Sequence, residues 1–205
     1  RHSRTSTPRR RSSVRRWPRT SAVSIRSGAP SATTRSLDQS GATTSSGVGA
    51  ATTCRSGVAA AWAAGYDPGC RLSWTVLAGI GRIESNHGLF GGPATRFSPG
   101  GTVSPRITGP PLDGNGVASI PDSDGGRWDG DTTWDRAVGP MQFIPTTWRS
   151  LGRDGNGDGV ADPNNLFDAA VSAAGYLCLS AGDLSDPAQL RQAVYGYNHS
   201  WPYVD

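Results

Sequence analysis

The sequence has no lysine, a single methionine, three cysteines and no long uninterrupted apolar run. The last absence excludes a membrane-spanning helix, which needs roughly 20 consecutive apolar residues. All 20 basic residues are arginine, which fits a GC-rich coding sequence better than a selected chemistry. A recognisable export signal is missing too. Arg15, Arg16 and Arg19 form a basic stretch, but no apolar segment follows them. The chain opens on Arg instead of Met, as a fragment, or a leader read in the wrong frame, would.

Charge divides the chain unevenly. Through Arg55, eleven arginines face one acid, Asp38, so the total of +4 leaves about −6 for everything after it. The basic isoelectric point therefore describes the tail. Residues 1–60 are mostly Ser, Thr, Arg, Gly and Ala; they hold too little apolar surface to offset chain entropy and are expected to be a disordered tail or linker. An arginine-rich arm suits nucleic acid or an anionic wall polymer. A solvated tail is the simpler reading, and no nucleic-acid partner is expected. One domain, 61–205, is expected to follow, with folding beginning near Trp62.

Three cysteines allow one pair and one remainder. Cys70 precedes an expected helix and Cys178 lies inside another, which favours a Cys70–Cys178 disulfide and leaves Cys54 over. Two buried thiols are the alternative. A bridge would imply an oxidising compartment.

In LSWTVLAGIGRIESN, Leu72, Val76, Leu77, Ile80 and Ile83 recur at helical spacing, giving one buried stripe with Glu84 and Asn86 at the C-terminal end. Gly79 and Gly81 each weaken helicity by about 1 kcal/mol, which makes sense if another backbone packs closely there. From Gly88 to Arg136 the chain is rich in Gly, Pro and Asp and reads as turns with a short hairpin. Structureless stretches of this length are uncommon inside domains and often functional. Helical patterns resume in PTTWRSL, with Pro145 at its start, in LFDAAVSAAGYLCLSAG, and in DPAQLRQAVYGYN, with Asp186 as N-cap and Pro187 at the first helical position.

Glu84 is the first candidate for chemistry. A carboxyl at the end of an apolar helix is partly desolvated; its pKa rises, and it can donate a proton near neutrality, as glycosidic cleavage requires. Taken alone, a helix-terminal acid is more often solvated. Its sequence context adds weight: GRIESNHG, RAVGPMQFIPTTW and YNHSWPYV occur in that order. Together, from about Cys70 to the C-terminus, they closely resemble the lytic murein transglycosylases, specifically the B-type branch, in an actinobacterial-like form.

That resemblance implies a mainly α, lysozyme-like α+β fold, a helical domain carrying the long Gly/Pro/Asp-rich insertion and an EF-hand-like loop. It makes Glu84 the sole catalytic acid and base. Gln142 would line the sugar cleft with Met141 and Phe143 beside it, Gly139 and Pro140 fixing the turn, while Tyr197 and Asn198 would face the carboxyl. The implied reaction cuts the β-1,4 bond between N-acetylmuramic acid and N-acetylglucosamine and closes a 1,6-anhydro ring on the muramic acid. The implied partner is the peptidoglycan glycan strand, the location the cell wall outside the cell, and the enzyme a monomer.

A two-carboxylate glycosidase needs a second acid roughly 5 to 9.5 Å away. Asp124, Asp129, Asp131 and Asp135 are available, but their Gly- and Thr-rich setting makes them better solvated loop acids. In GRDGNGDGVADPNNLFDAA, Asp154, Asn156 and Asp158 alternate with Gly as in the opening of an EF-hand loop, whose oxygen spacing suits Ca2+. An ordinary loop would end at Asn165, a poor ligand; the family's longer variant would end at Asp168. Val160 would add a backbone carbonyl, with Asp162 a further candidate. The ion's role would be structural, and a simple Asp/Gly turn is the alternative.

His87 and His199 sit outside metal-ligand spacing and read as rim residues. Of Trp128, Trp134, Trp148 and Trp201, Trp128 within the polar insertion is the best sugar platform, whereas helix-borne Trp148 suits a core. A calcium-stabilised wall-binding module without turnover, and a muramidase using water on the same fold, are the other readings. Two departures from the family stand out: CRSGVAAAWAAG fits it poorly, and such domains normally carry more helix beyond the position of Asp205.

Overall fold

The computed structural model describes residues 56, 57, 59–61, 63–90, 92 and 94–205. Nearly all of the expected tail, with Cys54 and Trp62, lies outside these. Helical structure is already present at residues 56, 57 and 59–61, ahead of the boundary expected at residue 60, and Ala59 is buried.

Five helices and four short strands follow. Helix α1 (Trp74–Ser85) starts at Ser73, whose hydroxyl accepts the Thr75 N–H at 3.3 Å. Its buried stripe is Leu77, Ile80, Gly81 and Ser85, with Val76 partly buried. Two expectations about this helix need correction. Leu72 is buried but precedes the helix, and Ile83 is 53% exposed, because its position turns away from the line through residues 77 and 80. Nor do the helical glycines meet another backbone. Gly79 borders open space, and a Cβ on Gly81 would lie 3.3 Å from the Met141 sulfur.

Helix α2 (Pro145–Leu151) and helix α4 (Pro187–Tyr197) both start at proline, whose missing N–H costs nothing in a first turn. Asp186 caps α4 by accepting from Ala188 and Gln189. Helix α3 (Leu166–Ser180) is the hub. Its Ala169, Ala173, Ala174 and Leu177 are fully buried, and small side chains at these positions let α1, α2 and α4 pack closely around one axis. Helix α5 (Trp201–Val204) is a single turn against α4. A disulfide joins Cys70, just before α1, to Cys178 in α3.

The Gly/Pro/Asp-rich stretch is more ordered than a run of turns. Strand β1 (Arg96–Phe97) pairs antiparallel with β2 (Val103–Ser104), and β3 (Thr108–Pro111) with β4 (Arg136–Val138). A small cluster forms on Leu112, just after β3, and Ile144, just before α2 (Pro145–Leu151), packed by Val117, Ala118 and Ile120. Carboxylates brace the rest: Asp122, Asp124, Asp129 and Asp131 all accept backbone N–H groups two to seven residues away from themselves. The result is an α+β arrangement dominated by helices. None of the described helices is long and apolar enough to cross a membrane.

Candidate active site

The site is built around the end of α1. Asn86 and His87 adopt left-handed backbone angles, φ 50° and 59°, and the N–H of His87 returns to the Gly81 carbonyl at 2.8 Å. This stops the helix one residue after Glu84, the only glutamate in the chain. Tyr203 donates its hydroxyl to Glu84 Oε1 at 2.7 Å, and the Asn198 side chain bonds the same carboxyl. Burial outweighs both bonds and pushes the Glu84 pKa from 4.5 to about 7.

Those two neighbours suit a group that changes protonation. The amide nitrogen of Asn198 donates to the carboxylate, while its Oδ1 is buried without a partner. Turned end for end, that amide would accept from the protonated acid. The charge on Glu84 in turn helps to raise the pKa values of Tyr197 and Tyr203, beyond the larger effect of their burial. No second acid is among the groups that shift Glu84.

The turn between β4 and α2 supports this arrangement from below. Ser85, fully buried, donates to the Pro140 carbonyl at 2.7 Å, and Tyr197 donates to the Met141 carbonyl at 2.8 Å. The turn also fixes Gly139 at φ 77°, where a Cβ would fall 1.8 Å from the Pro163 carbonyl oxygen. Phe143 stands edge-on to Trp148 and Tyr197, with ring centroids 5.3 and 6.0 Å apart.

Of the residues expected at the site, Glu84, Asn198, Tyr197 and the backbone of Met141 come together. The side chains of Met141 and Phe143 are buried in the core and support the site from within. Gln142, at φ 50°, donates its amide to the Gly139 carbonyl at 2.8 Å and thus caps its own turn. It borders, with Phe143 and Tyr197, a void of about 20 Å3. Trp128 packs partly buried against the core and lines a different cavity, described below. Tyr203 was missed. It stands in the third motif, but only the fold shows that α5 carries its hydroxyl to the carboxyl.

The insertion acids are not simply solvated. Asp135 is fully buried and accepts from the backbone and hydroxyl of Ser123, with its pKa raised by burial. Asp131 pairs with Arg136 at 2.9 Å. His87, expected on the rim, is half-buried with Nδ1 unpartnered, and burial together with Arg82 lowers its pKa. His199 is exposed, 5.5 Å from the Tyr195 ring.

Residues 125–182 match the family model described as Transglycosylase SLT domain. The SLT match supports the resemblance to lytic transglycosylases. It takes in the turn of Gln142, the acidic loop and all of α3, while Glu84, Tyr197, Asn198 and Tyr203 lie outside it. No curated protein and no solved structure matches the chain.

Within the SLT match, the loop from Asp154 to Asp168 winds around its own acids. Asp154 accepts from Gly157 and Gly159, and buried Asp168 accepts from Gly155, Asn156 and Asp162. The Asn156 amide donates to Asp158 at 2.9 Å. Among the described residues, the acids whose oxygens all lie within 4.8 Å of one another are Asp122, Asp124 and Asp135; Asp154, Asp158 and Asp168 are not so gathered.

Proposed function

We propose that this chain is a lytic transglycosylase that cleaves the β-1,4 bond between N-acetylmuramic acid and N-acetylglucosamine in peptidoglycan. The observation that carries the reading is the Glu84 carboxyl, poised at about 7 between Tyr203 and Asn198 with no second acid acting on it. A group with that pKa is part acid and part base at neutrality, and general catalysis favours such a match.

In this mechanism protonated Glu84 gives its proton to the bridging oxygen as that bond breaks. The resulting carboxylate, steadied by the Tyr203 hydroxyl and the Asn198 amide, then removes the proton from the C6 hydroxyl of the same muramic acid. The C6 oxygen attacks the anomeric carbon and closes the 1,6-anhydro ring. Glu84 regains its proton, and no water is consumed. Tyr197 and Ser85 act at one remove by fixing the turn backbone. Every group named comes from one chain, so a monomer suffices.

Calcium belongs to the same proposal. The donor set of Asp154, Asn156, Asp158, the Val160 carbonyl and Asp168 is all oxygen, as a hard cation requires. Buried Asp168 has no cationic side chain bonded to it among the described residues. Such an ion would complete an EF-hand-like loop, drawing its acids together and anchoring the start of α3. Location at the wall, outside the cytoplasm, follows from the substrate and from a disulfide that persists under oxidising conditions.

Digesting purified peptidoglycan and weighing the products tests the chemistry. Muropeptides one water lighter than hydrolysis gives are expected, and Glu84→Gln should abolish them. Products of hydrolytic mass would identify a muramidase instead, and binding without products a wall-binding module. For calcium, a chelator should lower Tm in the wild type and leave Asp158→Ala unaffected.

A further inference from the structure

A cavity of about 770 Å3 opens beside the insertion, away from the residues around Glu84. Its volume falls within the roughly 300–1,000 Å3 typical of small-ligand sites. Trp128, Trp148, Arg127, Arg149, Asp124 and Val160 are among its lining residues. The Arg127 guanidinium lies 4.5 Å from the centre of the Trp128 ring. Arg149 donates to the Ser123 carbonyl at 2.9 Å, which fixes its head while leaving further N–H groups available.

Charge singles this lining out. From residue 56 onward the chain has nine arginines against fifteen acids, yet here two guanidiniums face one carboxylate. Arg71, Arg136 and Arg191 are paired with acids, whereas Arg127 and Arg149 have no acid partner among the described residues. Asp124 is ion-paired with neither: its oxygens accept the backbone N–H groups of Arg127 and Trp128 at 3.0 and 3.1 Å, and its carboxyl lies within 4.8 Å of those of Asp122 and Asp135. Arg106, reaching the carbonyls of residues 127 and 128, adds a third cation behind the segment.

We propose that this cavity binds a peptide bearing free carboxylates, its small apolar side chains against the partly buried Trp128, over a floor closed by buried Trp148, and its carboxylates on the forks of Arg127 and Arg149. Guanidinium suits this task because its planar fork meets a carboxylate with two parallel hydrogen bonds. Identifying that ligand as the acidic stem peptide carried by muramic acid rests on the transglycosylase reading. On that reading the site gives the enzyme a hold on its substrate outside the glycan bond it cuts.

The test uses the full chain and two synthetic stem tripeptides, one with free carboxylates and one fully amidated, titrated by calorimetry. The free acid should bind at least tenfold more tightly than the amide, and Arg127→Gln with Arg149→Gln should erase that preference. Equal binding of the two peptides by the wild type, or binding of neither, overturns the proposal without recourse to any variant, as does a preference that survives in a double variant of unchanged Tm. The digestion experiment reads the other question separately. A wild type that prefers the free acid but releases no muropeptides keeps this site and removes the transglycosylase reading.

Discussion

The raised pKa of Glu84 makes a prediction about stability that is independent of any substrate. Between pH 4.5 and about 7 the folded chain holds a proton that the unfolded chain has released. Stability therefore falls as pH rises through that window and levels off above it. The gap corresponds to about 3 kcal/mol. Glu84→Gln cannot ionise yet still offers an oxygen to Tyr203, so it should escape this loss. Relative to wild type, the variant should gain about 3 kcal/mol at pH 8 over what it shows at pH 4, or a Tm difference of about 6–12 °C for a domain of this size. Urea unfolding at the two pH values measures it. Because glutamate occurs once, isotope-labelled glutamate also lets NMR follow this one carboxyl directly. A midpoint near 4.5, or a stability difference that does not change with pH, would refute the reasoning.

Tyr203→Phe removes a hydrogen bond to the ionised carboxylate, worth about 1.5–3 kcal/mol. The Glu84 midpoint should therefore rise by about one to two pH units, and the activity profile should move to higher pH; labelled-glutamate titration checks the first. Gly139→Ala drives a methyl into the Pro163 carbonyl at a left-handed backbone position. It should cost upwards of about 3 kcal/mol, read as a lower urea midpoint. Reducing the Cys70–Cys178 bridge, which closes 108 residues of sequence, should remove about 4–5 kcal/mol and lower Tm by roughly 10–15 °C. Scanning calorimetry with and without reductant checks that.

Helix starts were the most legible part of the fold, because caps and prolines act locally. Asp186 with Pro187, and Pro145, mark real helix starts. Periodicity located α1 and its last turn but overreached at Leu72, which precedes the helix, and at Ile83, which faces away from the buried line. The insertion was harder. Its order comes from carboxylates folding back on backbone N–H groups, and one of them, Asp135, is buried by strands whose pairing no local pattern reveals. At the site, the identity of Glu84 was readable from its motif. The bond from Gln142 back to the Gly139 carbonyl was not, because it depends on a positive φ at a residue other than glycine. Tyr203 stayed hidden for a related reason: a single-turn helix has too few residues to show a face.

The carbonyls of Gly139, Pro140 and Met141 each accept from a different side chain, those of Gln142, Ser85 and Tyr197. Three stretches far apart in sequence are thereby fastened through main-chain atoms, whose chemistry is the same whatever residue supplies them. Substitutions at positions 140 and 141 leave these acceptors in place, although both side chains are also packed in the core, whereas changes at 85 and 197 remove the donors themselves. A double-mutant cycle on Ser85 and Tyr197 would accordingly show strong coupling, although those two side chains never hydrogen-bond each other.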